Sequence, residues 1–331
     1  MMKVGLIGLG AMGRVHFECW RRSKAAQLVA ISARDPRKLA GDWSGQEFNL
    51  GAQANERVDL TGLSGYALAE DLINDPEVEL VDLCVATPLH APLAIAAMRA
   101  GKHVFCEKPM ALTPDQCAEM EAVARETGRQ LMIGHCLRYW PHYVKAAEII
   151  RSEEYGRPVY ARLERVSAMP GWSSGGWLQK AGESGGVLDL HIHDIDVALW
   201  WFGQPAAIAT AGVVRDGLAT VMDASWRYLE GTLVQLHGAW DANGGPFRHA
   251  FKVVLQGATL SYDLAEAEPA LRMHREGVTT VLPVETPDAY QAELDDFARC
   301  CSEGRAVSRF TPQDSRLAVE FGLRELQQLG V

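Results

Sequence analysis

The feature that most constrains this chain is a glycine-rich turn that directly follows an apolar strand. Residues 4–13 read Val-Gly-Leu-Ile-Gly-Leu-Gly-Ala-Met-Gly. In such a turn Gly8 permits a tight bend, Gly10 lets a pyrophosphate approach the backbone, and Gly13 lets the next helix pack close to the strand. The N-terminus of that helix offers unpaired N–H groups to phosphates. The turn therefore predicts a dinucleotide-binding domain, with a phosphate site formed by Gly8, Gly10, Ala11, Met12 and Gly13.

Length, charge and cysteine content narrow the class of protein. The 331 residues exceed the usual size of one hydrophobic core, so two domains are expected. The net charge of -10 disfavours nucleic acid and an anionic membrane surface as partners. No apolar run approaches the roughly 18 residues that span a bilayer, and the first strand begins at Lys3, which leaves no room for a secretory signal peptide. The seven cysteines form no CxxC pair and are odd in number, which favours a reducing, cytoplasmic location.

The pattern of elements predicts an α/β fold in two parts. Short β-branched runs alternate with helical stretches up to about residue 135, which is typical of a parallel sheet covered on both faces. Seven later segments predict a mostly antiparallel sheet. We therefore expect a Rossmann dinucleotide-binding domain over residues 1–136. An α+β domain with a mostly antiparallel open sheet, for substrate binding and oligomerisation, is expected over 137–331. Residues 41–65 fit neither pattern and are interpreted as an inserted surface loop.

The second domain offers helices enough to cover only one face of its sheet. Alternating apolar residues such as Val213, Ala224 and Trp226 would then lie on the other face, exposed in a monomer. We therefore expect a homodimer or a homotetramer. The predicted helices are 187–202, 288–303 and 312–329.

The tripeptide Glu107-Lys108-Pro109 follows a predicted parallel strand. Ligands of open α/β sheets bind at the carboxyl ends of the strands. A cation there can polarise a carbonyl oxygen or stabilise alkoxide character as hydride leaves. We interpret Lys108 as a catalytic group; the alternative is a surface ion pair between Glu107 and Lys108.

A second candidate group comprises Asp189 and His193, which lie four residues apart and therefore share one face of a predicted helix. The pKa of histidine, near 6.5, suits the proton transfer that accompanies hydride transfer. A carboxylate one turn away can orient the imidazole or bind a substrate hydroxyl. His191 lies roughly 200° around the helix from His193, so these two cannot close on one metal ion. No metal site is expected.

These motifs, in this order, resemble the Gfo/Idh/MocA family of nicotinamide-dependent oxidoreductases, which act mainly on sugars and cyclitols. The resemblance covers almost the whole chain. It implies reversible hydride transfer between a nicotinamide cofactor and a secondary alcohol or ketone of a sugar, inositol or similar polyol. It places the family's catalytic Asp on Asp189 and its His on His193, with Lys108 as the electrophilic group. It also places Arg138 near the active site.

The choice of cofactor depends on the end of the second strand. In register with the family's usual Val-Ala-x-x-Asp-x-Asp, the acidic position that binds the ribose of NAD is taken by Ala33. Neighbouring donors suit a 2'-phosphate, so NADP(H) is expected to be preferred. NAD(H) stays open, because Asp35 could bind the ribose after a two-residue shift.

Further cofactor contacts are implied after the central strand. The family's Thr-Pro dipeptide falls on Val85 and Ala86 when aligned back from His90, which leaves backbone contacts to the nicotinamide half. His90 itself is interpreted as structural. Beyond the glycine turn, the predicted cofactor-binding residues are Ser32, Ala33, Arg34, Lys38, Val85, Ala86, His90, Glu107 and Lys108.

Aromatic side chains near the site would suit the apolar faces of a sugar ring. The predicted substrate contacts are Lys108, Arg138, Tyr139, Trp172, Trp177, Asp189 and His193. Two other functions stay open: a redox-neutral glycosidase that uses tightly held NAD, and a cofactor-binding regulator without catalysis. The presence of Lys108 together with Asp189 and His193 argues against the regulator.

Overall fold

The computed structural model of the protein describes residues 1–44, 57–170, 174–180, 186–240, 247–285, 287–307 and 309–331. The chain divides into two compact units. The first comprises Met1–Cys136, Trp172–Trp177 and Asp288–Val319; the second comprises Leu137–Gly171, Leu178–Pro287 and Glu320–Val331. The expected change of domain after residue 136 coincides with the first of these divisions. The later segment Asp288–Val319 groups with the first unit, unlike the continuous 137–331 that we expected. No described helix has both the length and the apolar character needed to cross a membrane.

The first unit is built on a six-stranded parallel sheet in the order β3-β2-β1-β4-β5-β6. This is the order of a doubly wound dinucleotide-binding fold, in which the strand order reverses between β1 and β4. Its strands are β1 Met2–Ile7, β2 Ala26–Ser32, β3 Ser64–Tyr66, β4 Leu80–Leu83, β5 His103–Glu107 and β6 Leu131–Gly134. Its helices are α1 Ala11–Arg22, α2 Pro36–Leu39, α3 Ala69–Ile73, α4 His90–Arg99 and α5 Pro114–Thr127, with α8 Ala289–Glu303 from later in the chain.

Local signals explain where the best-defined helix of this unit begins and ends. Thr113 caps α5 by accepting a hydrogen bond from the backbone N–H of Gln116, whose side chain accepts from the backbone N–H of Thr113 in return. Pro114 occupies the first turn, where its missing N–H costs nothing. Gly128 ends the helix in the left-handed region at φ 65°. Short sequence signals thus account for both ends of α5.

Helix α8 corrects one expectation about the second sheet. We expected the segment 288–303 to cover the C-terminal sheet, but α8 packs against α1 and against strands β1 and β5 of the parallel sheet. Its apolar face, which includes Leu294 and Phe297, is fully buried there. An amphipathic period shows that a helix buries one face, but not against which sheet.

The second unit contains an eight-stranded, mostly antiparallel sheet in the order β14-β13-β12-β11-β7-β10-β9-β8. The pairing of β7 with β10 is parallel and the other pairings are antiparallel. The strands are β7 Pro158–Val166, β8 Ala207–Arg215, β9 Leu218–Arg227, β10 Leu233–Ala239, β11 Arg248–Leu255, β12 Thr259–Asp263, β13 Arg272–Arg275 and β14 Val278–Val281. Helices α6 Pro141–Ser152 and α7 Leu188–Phe202 belong to this unit, and the division of the chain after Val319 falls within α9 Pro312–Gln328.

The expected exposure of Ala224 and Trp226 is wrong. Both are buried, and the Trp226 ring packs against Phe321 of α9 at a centroid distance of 5.1 Å. Val213 is 41% exposed, as expected. The opposite face of β9 carries Asp223 and Ser225, which are polar. The apolar-face argument for a homo-oligomer therefore fails, although the oligomeric state itself stays a prediction.

Two strands were missed in the sequence. Strand β3, Ser64–Tyr66, lies at the end of the 41–65 segment that we interpreted as an insertion, and it forms one edge of the parallel sheet. Trp43, in the same segment, is fully buried and packs against Phe17. Residues 45–56 lie outside the described part of the chain. Strand β13 contains charged residues and lacks the β-branched run by which the other strands are recognised.

Candidate active site

The glycine turn has the geometry that a dinucleotide requires. Gly8 adopts φ 94°, which favours glycine, and its N–H donates to the carbonyl oxygen of Ser32 at 2.9 Å. A Cβ atom on Gly13 would lie 1.9 Å from the carbonyl oxygen of Gly8, so no side chain fits there. A Cβ atom on Gly10 would meet no atom within 4 Å. The turn is therefore closed on the strand side at Gly13 and open at Gly10, where α1 begins and a pyrophosphate would approach.

The end of β2 lacks a carboxylate that is available to a ribose in the expected place. Ala33 is buried and donates its N–H to the carbonyl oxygen of Tyr66 at 3.1 Å. Asp35 caps α2 and accepts hydrogen bonds from both the backbone and the side chain of Arg37. The Arg37 side chain lowers the pKa of the Asp35 carboxyl. Arg34 is exposed.

Lys38 and Ser32 lie beside the glycine turn. The ammonium group of Lys38 donates to the carbonyl oxygen of Leu9, and burial lowers the pKa of Lys38. Ser32 is buried as the last residue of β2. Of the four predicted contacts at this strand end, Arg34 is thus the most exposed to solvent.

Strand β4 ends at Leu83, so Val85 and Ala86 lie in the loop that follows it. Both residues are half-buried. His90 is buried at the start of α4, with Nδ1 2.7 Å from the carbonyl oxygen of Pro109 and Nε2 3.0 Å from that of Val85. Burial lowers the pKa of His90, so a neutral ring donates to one carbonyl at a time. His90 contacts the backbone of two predicted cofactor-binding segments, which agrees with a structural role.

Lys108 directly follows β5 at the edge where the sheet presents its carboxyl ends. The side chain is half-buried, and the Lys108–Pro109 peptide bond is cis. Glu107 is buried, whereas the alternative interpretation placed it in an ion pair at the surface. Its carboxyl group is buried, with Oε1 3.1 Å from Nε2 of His16 and Oε2 accepting the backbone N–H of Lys108 at 3.1 Å.

Helix α7 carries Asp189 and His193, both half-buried, on one side. Its start is fixed by Gly186, which has φ 64° and lies against β9. A Cβ atom on Gly186 would lie 2.5 Å from the carbonyl oxygen of Ala219, and the same oxygen accepts the N–H of Val187 at 2.8 Å. The close approach of backbone to backbone therefore determines where the first turn of α7 begins.

His191 lies on the opposite, buried side of α7. Its Nε2 is 3.0 Å from Oε2 of Glu325 on α9, and Oε1 of Glu325 accepts the indole N–H of Trp226 at 2.6 Å. All three side chains are fully buried. The expected separation of His191 from the face of Asp189 and His193 is confirmed.

Two further buried ion pairs hold the same helix. Arg138 donates to Asp196 from Nε at 2.9 Å and from Nη2 at 2.7 Å, and their side chains are 4% and 1% exposed. Arg165 of β7 donates from Nε to Asp194 at 3.0 Å. Arg138 thus lies in a buried ion pair, which is a different environment from the substrate contact that we predicted. The pairs with Asp194 and Glu325 were missed in the sequence.

The remaining predicted substrate contacts lie in different environments. Tyr139 is buried and Trp177 is half-buried. Trp172 lies outside the described residues. Their contact with a substrate stays a prediction.

One cluster with metal-ligand spacing occurs among the described residues. His16, Asp82 and Cys84 offer ligand atoms that lie within 4.8 Å of one another. Hydrogen bonds account for these atoms: Oδ2 of Asp82 lies 2.9 Å from Nδ1 of His16 and accepts the indole N–H of Trp20 at 2.6 Å, and the Cys84 sulfur lies 3.2 Å from the same Nδ1. Nδ1 of His16, Oδ2 of Asp82 and the Cys84 sulfur thus contact one another or Trp20.

Comparison with known proteins decides the family. Residues 2–135 match the profile of the oxidoreductase family with an NAD-binding Rossmann fold, and residues 143–261 match the GFO/IDH/MocA C-terminal domain. The chain belongs to the Gfo/Idh/MocA family of oxidoreductases. It is therefore an oxidoreductase of a family of NAD(P)-dependent sugar and inositol dehydrogenases.

Three similar proteins illustrate the relationship. The 1,5-anhydro-D-fructose reductase of Ensifer adhaerens is 30% identical over 77% of this chain and 78% of its own length. The inositol 2-dehydrogenase of Salmonella typhimurium is 31% identical over 68% of this chain, and the match spans 64% of that enzyme, slightly less than two thirds. The structure of a levoglucosan dehydrogenase in complex with NADH and levoglucosan has a TM-score of 0.83 at 19% identity, covering 99% of this chain and 97% of that one. The similarity to the levoglucosan dehydrogenase shows a shared fold only.

Proposed function

We propose that the protein transfers a hydride reversibly between NADP(H) and a secondary alcohol or ketone of a sugar, inositol or similar polyol. The observation that carries the proposal is the position of Lys108. A half-buried lysine directly follows a strand of a parallel sheet whose glycine turn leaves space for a pyrophosphate at Gly10. Ligands of such sheets bind outside the carboxyl ends of the strands.

The proposed chemistry divides among three side chains. The bound nicotinamide cofactor supplies or accepts the hydride. Lys108 polarises the carbonyl oxygen of a ketone, or stabilises negative charge on the oxygen of an alcohol. His193 takes or returns the hydroxyl proton, and Asp189, on the same side of α7, orients the imidazole or binds a neighbouring hydroxyl.

NADP(H) is the proposed cofactor because the carboxylate that would repel a 2'-phosphate is missing from the expected place. Ala33 stands there, and Asp35 is bound to Arg37. Arg34 is exposed and Lys38 lies beside the glycine turn, so both cations suit a phosphate. Glu107 and His90 support the site through the backbone of Lys108, Pro109 and Val85.

Cyclic polyols are the proposed substrate class. The relatives named above are a reductase of 1,5-anhydro-D-fructose and a dehydrogenase of inositol. Tyr139, Trp172 and Trp177 are proposed to contact the apolar face of such a ring. Arg138, which lies in a buried ion pair, is proposed to position α7 and the residues on it.

A spectrophotometric screen at 340 nm tests the function. It presents 1,5-anhydro-D-fructose and keto-sugars with NADPH or NADH, and inositols and polyols with NADP or NAD. Turnover with exchangeable NADP(H) is the expected result. Tightly retained NAD in the purified protein would favour the redox-neutral glycosidase. Cofactor binding without turnover of any member of the panel would favour the regulator.

The Ala33→Asp variant tests the choice of cofactor. We expect NADPH to bind at least about tenfold more weakly and NADH to bind more tightly, because a carboxylate repels the 2'-phosphate and accepts from the 2'-hydroxyl. Titration of protein fluorescence measures both affinities, and the control is Ala207→Asp, which adds the same charge at an exposed position of β8 outside the proposed cofactor site. A wild-type protein that already prefers NADH would contradict the proposed cofactor.

We also propose a homodimer or homotetramer in the cytoplasm. All seven cysteines are free and six of them are buried, which supports a reducing compartment. Sedimentation at micromolar concentration measures the mass, and a monomer would contradict the proposed assembly.

A further inference from the structure

A buried cluster of polar side chains lies between α1 and the ends of β4 and β5. It consists of His16 and Trp20 on α1, Asp82 of β4, Cys84, and Glu107 of β5; we call it the His16 cluster. His16 and Asp82 are fully buried. Nδ1 of His16 lies 2.9 Å from Oδ2 of Asp82, and Nε2 lies 3.1 Å from Oε1 of Glu107. The second contact is close but poorly aligned for a hydrogen bond, so we describe it as an ion pair.

The position of His16 between two carboxylates favours a positively charged imidazolium. A neutral ring has one N–H, whereas both ring nitrogens of His16 face a carboxylate oxygen. Burial acts to lower the pKa of His16, but Asp82 and its other neighbours raise it well above its ordinary value. Burial raises the pKa of Glu107, and His16 reverses this effect so that the pKa of Glu107 lies below its ordinary value.

The cluster reaches the residue proposed to polarise the substrate. Oε2 of Glu107 accepts the backbone N–H of Lys108 at 3.1 Å. On the other side of Lys108, His90 contacts the carbonyl oxygen of Pro109. Gly134 of β6 leaves room for the Glu107 carboxyl, because a Cβ atom there would lie 3.1 Å from Oε1. The backbone that carries Lys108 is thus held by buried side chains on both sides.

The same cluster begins in the helix that follows the glycine turn. His16 lies three residues after Gly13, which packs against the carbonyl oxygen of Gly8. A Cβ atom on Gly13 would lie 3.5 Å from Cβ of Cys84, whose sulfur contacts His16. The contacts therefore form a continuous path from the glycine turn to Lys108.

We propose that His16 is a positioning residue for Lys108: by holding Glu107, it fixes the backbone that carries the lysine relative to α1. This inference rests on the proposed role of Lys108 in catalysis. His16 is not proposed to contact the substrate or the cofactor. We therefore expect it to affect the rate through the placement of Lys108. A small misplacement of a reacting group can cost about 10²-fold in rate.

The first test is made by NMR on the protein without cofactor or substrate. In wild type, the chemical shifts of the ring nitrogens should show that both nitrogens of His16 are protonated at pH values above the ordinary pKa of histidine. Glu107→Gln should lower the pKa of His16. In His16→Gln the backbone amide of Lys108 should exchange with solvent about tenfold faster, as expected for one weakened hydrogen bond. The control is His103→Leu at the other end of β5, which removes the contact between Nδ1 of His103 and the N–H of Gln130 and should leave exchange at Lys108 unchanged. Unchanged exchange at Lys108 in His16→Gln would overturn the proposal.

The second test is a double-mutant cycle on turnover with the substrate found in the screen. His16→Gln should lower kcat about 10- to 10²-fold and change the affinity for NADPH by less than about twofold. In the Lys108→Met background, His16→Gln should cause no further loss, because its effect passes through the lysine.

Independent, additive losses would overturn the proposal and leave the proposed function intact. Full turnover in Lys108→Met would overturn both. If His16→Gln does not fold, the isosteric Glu107→Gln should give the same two results.

Discussion

The two units differ in how buried polar groups support their proposed reacting residues. In the first unit, His16 lies between the carboxylates of Asp82 and Glu107, and Glu107 holds the backbone of Lys108. In the second unit, three buried side chains of α7 are each paired with a partner from another element, and one of them, His191, lies on the side of the helix opposite Asp189 and His193. The pairs are His191 with Glu325, Asp194 with Arg165, and Asp196 with Arg138.

This difference determines how each unit should respond to pH. In the two arginine pairs of α7 the guanidinium keeps its charge throughout the physiological range, because an arginine side chain does not lose its proton there. The His16 cluster combines one imidazole with two carboxylates, and Glu293 of α8 lies near them as a third buried acid. The net charge of the His16 cluster therefore changes when its imidazole or one of the carboxyl groups gains or loses a proton. The two arginine pairs of α7 are therefore expected to respond less to pH than the His16 cluster.

The largest expected effect separates the two sides of α7. His193→Ala should lower kcat by about 10²- to 10⁴-fold, the usual contribution of a general acid or base, and Lys108→Met should lower it steeply as well. His191→Ala should leave kcat within about threefold of wild type while lowering Tm, because it removes a partner of buried Glu325. Steady-state kinetics and scanning calorimetry on the three variants measure this. A protein that survives His193→Ala but loses turnover in His191→Ala would place the chemistry on the buried side.

The faces of α7 could be predicted from the sequence because they depend on local periodicity. Residues four apart share a side and residues two apart do not, whatever the helix packs against. The glycine turn could be predicted for the same reason, since Gly8, Gly10 and Gly13 each meet a requirement of the backbone itself. These parts of the site follow from short stretches of chain.

The partners of the buried charges could not be predicted, because they are distant in sequence. Asp82 is 66 residues from His16, and Glu325 is 134 residues from His191. A single acid within an apolar run was the only signal available: Asp82 interrupts Leu-Val-Asp-Leu. The error at Trp226 has a similar origin. Alternation along β9 separates two faces correctly, but which face is covered depends on where α9 packs.

The second largest effect tests the claim that α7 is held by ion pairs of fixed charge. Asp196→Asn should destabilise the protein by about 3 to 5 kcal/mol, because it leaves the guanidinium of Arg138 buried without its carboxylate. The loss, measured by urea unfolding, should be the same at pH 6 and pH 8. The control is Glu148→Gln, which breaks an exposed pair with Lys145 on α6 and should cost less than about 0.5 kcal/mol. Equal losses in the two variants would show that the buried pair does not stabilise α7.

The smallest effect tests the expected pH sensitivity of the first unit through Glu293. This side chain is fully buried, and neither of its carboxyl oxygens has a hydrogen-bond partner among the described residues. Burial, with Glu107 nearby, raises the pKa of Glu293 well above its ordinary value of 4.5. The folded protein therefore keeps this proton after the unfolded chain has lost it.

The sign of the effect follows from that difference in pKa. A group whose folded pKa is raised stabilises fully below its unfolded pKa, and this contribution is lost as pH rises towards the folded value. Glu293→Gln removes the dependence, so it should equal wild type near pH 4.5 and exceed it progressively above, by about 1.4 kcal/mol per pH unit until the folded pKa is reached. Above its ordinary pKa, His16 changes the stability with pH in the same direction as Glu293. Because His16 is present in both wild type and Glu293→Gln, its contribution cancels in the comparison. Urea unfolding from pH 5 to pH 8 measures the difference, with the exposed Glu303→Gln of α8 as control. A difference that stays flat with pH would mean that Glu293 is ionised in the folded protein, and that burial does not raise its pKa.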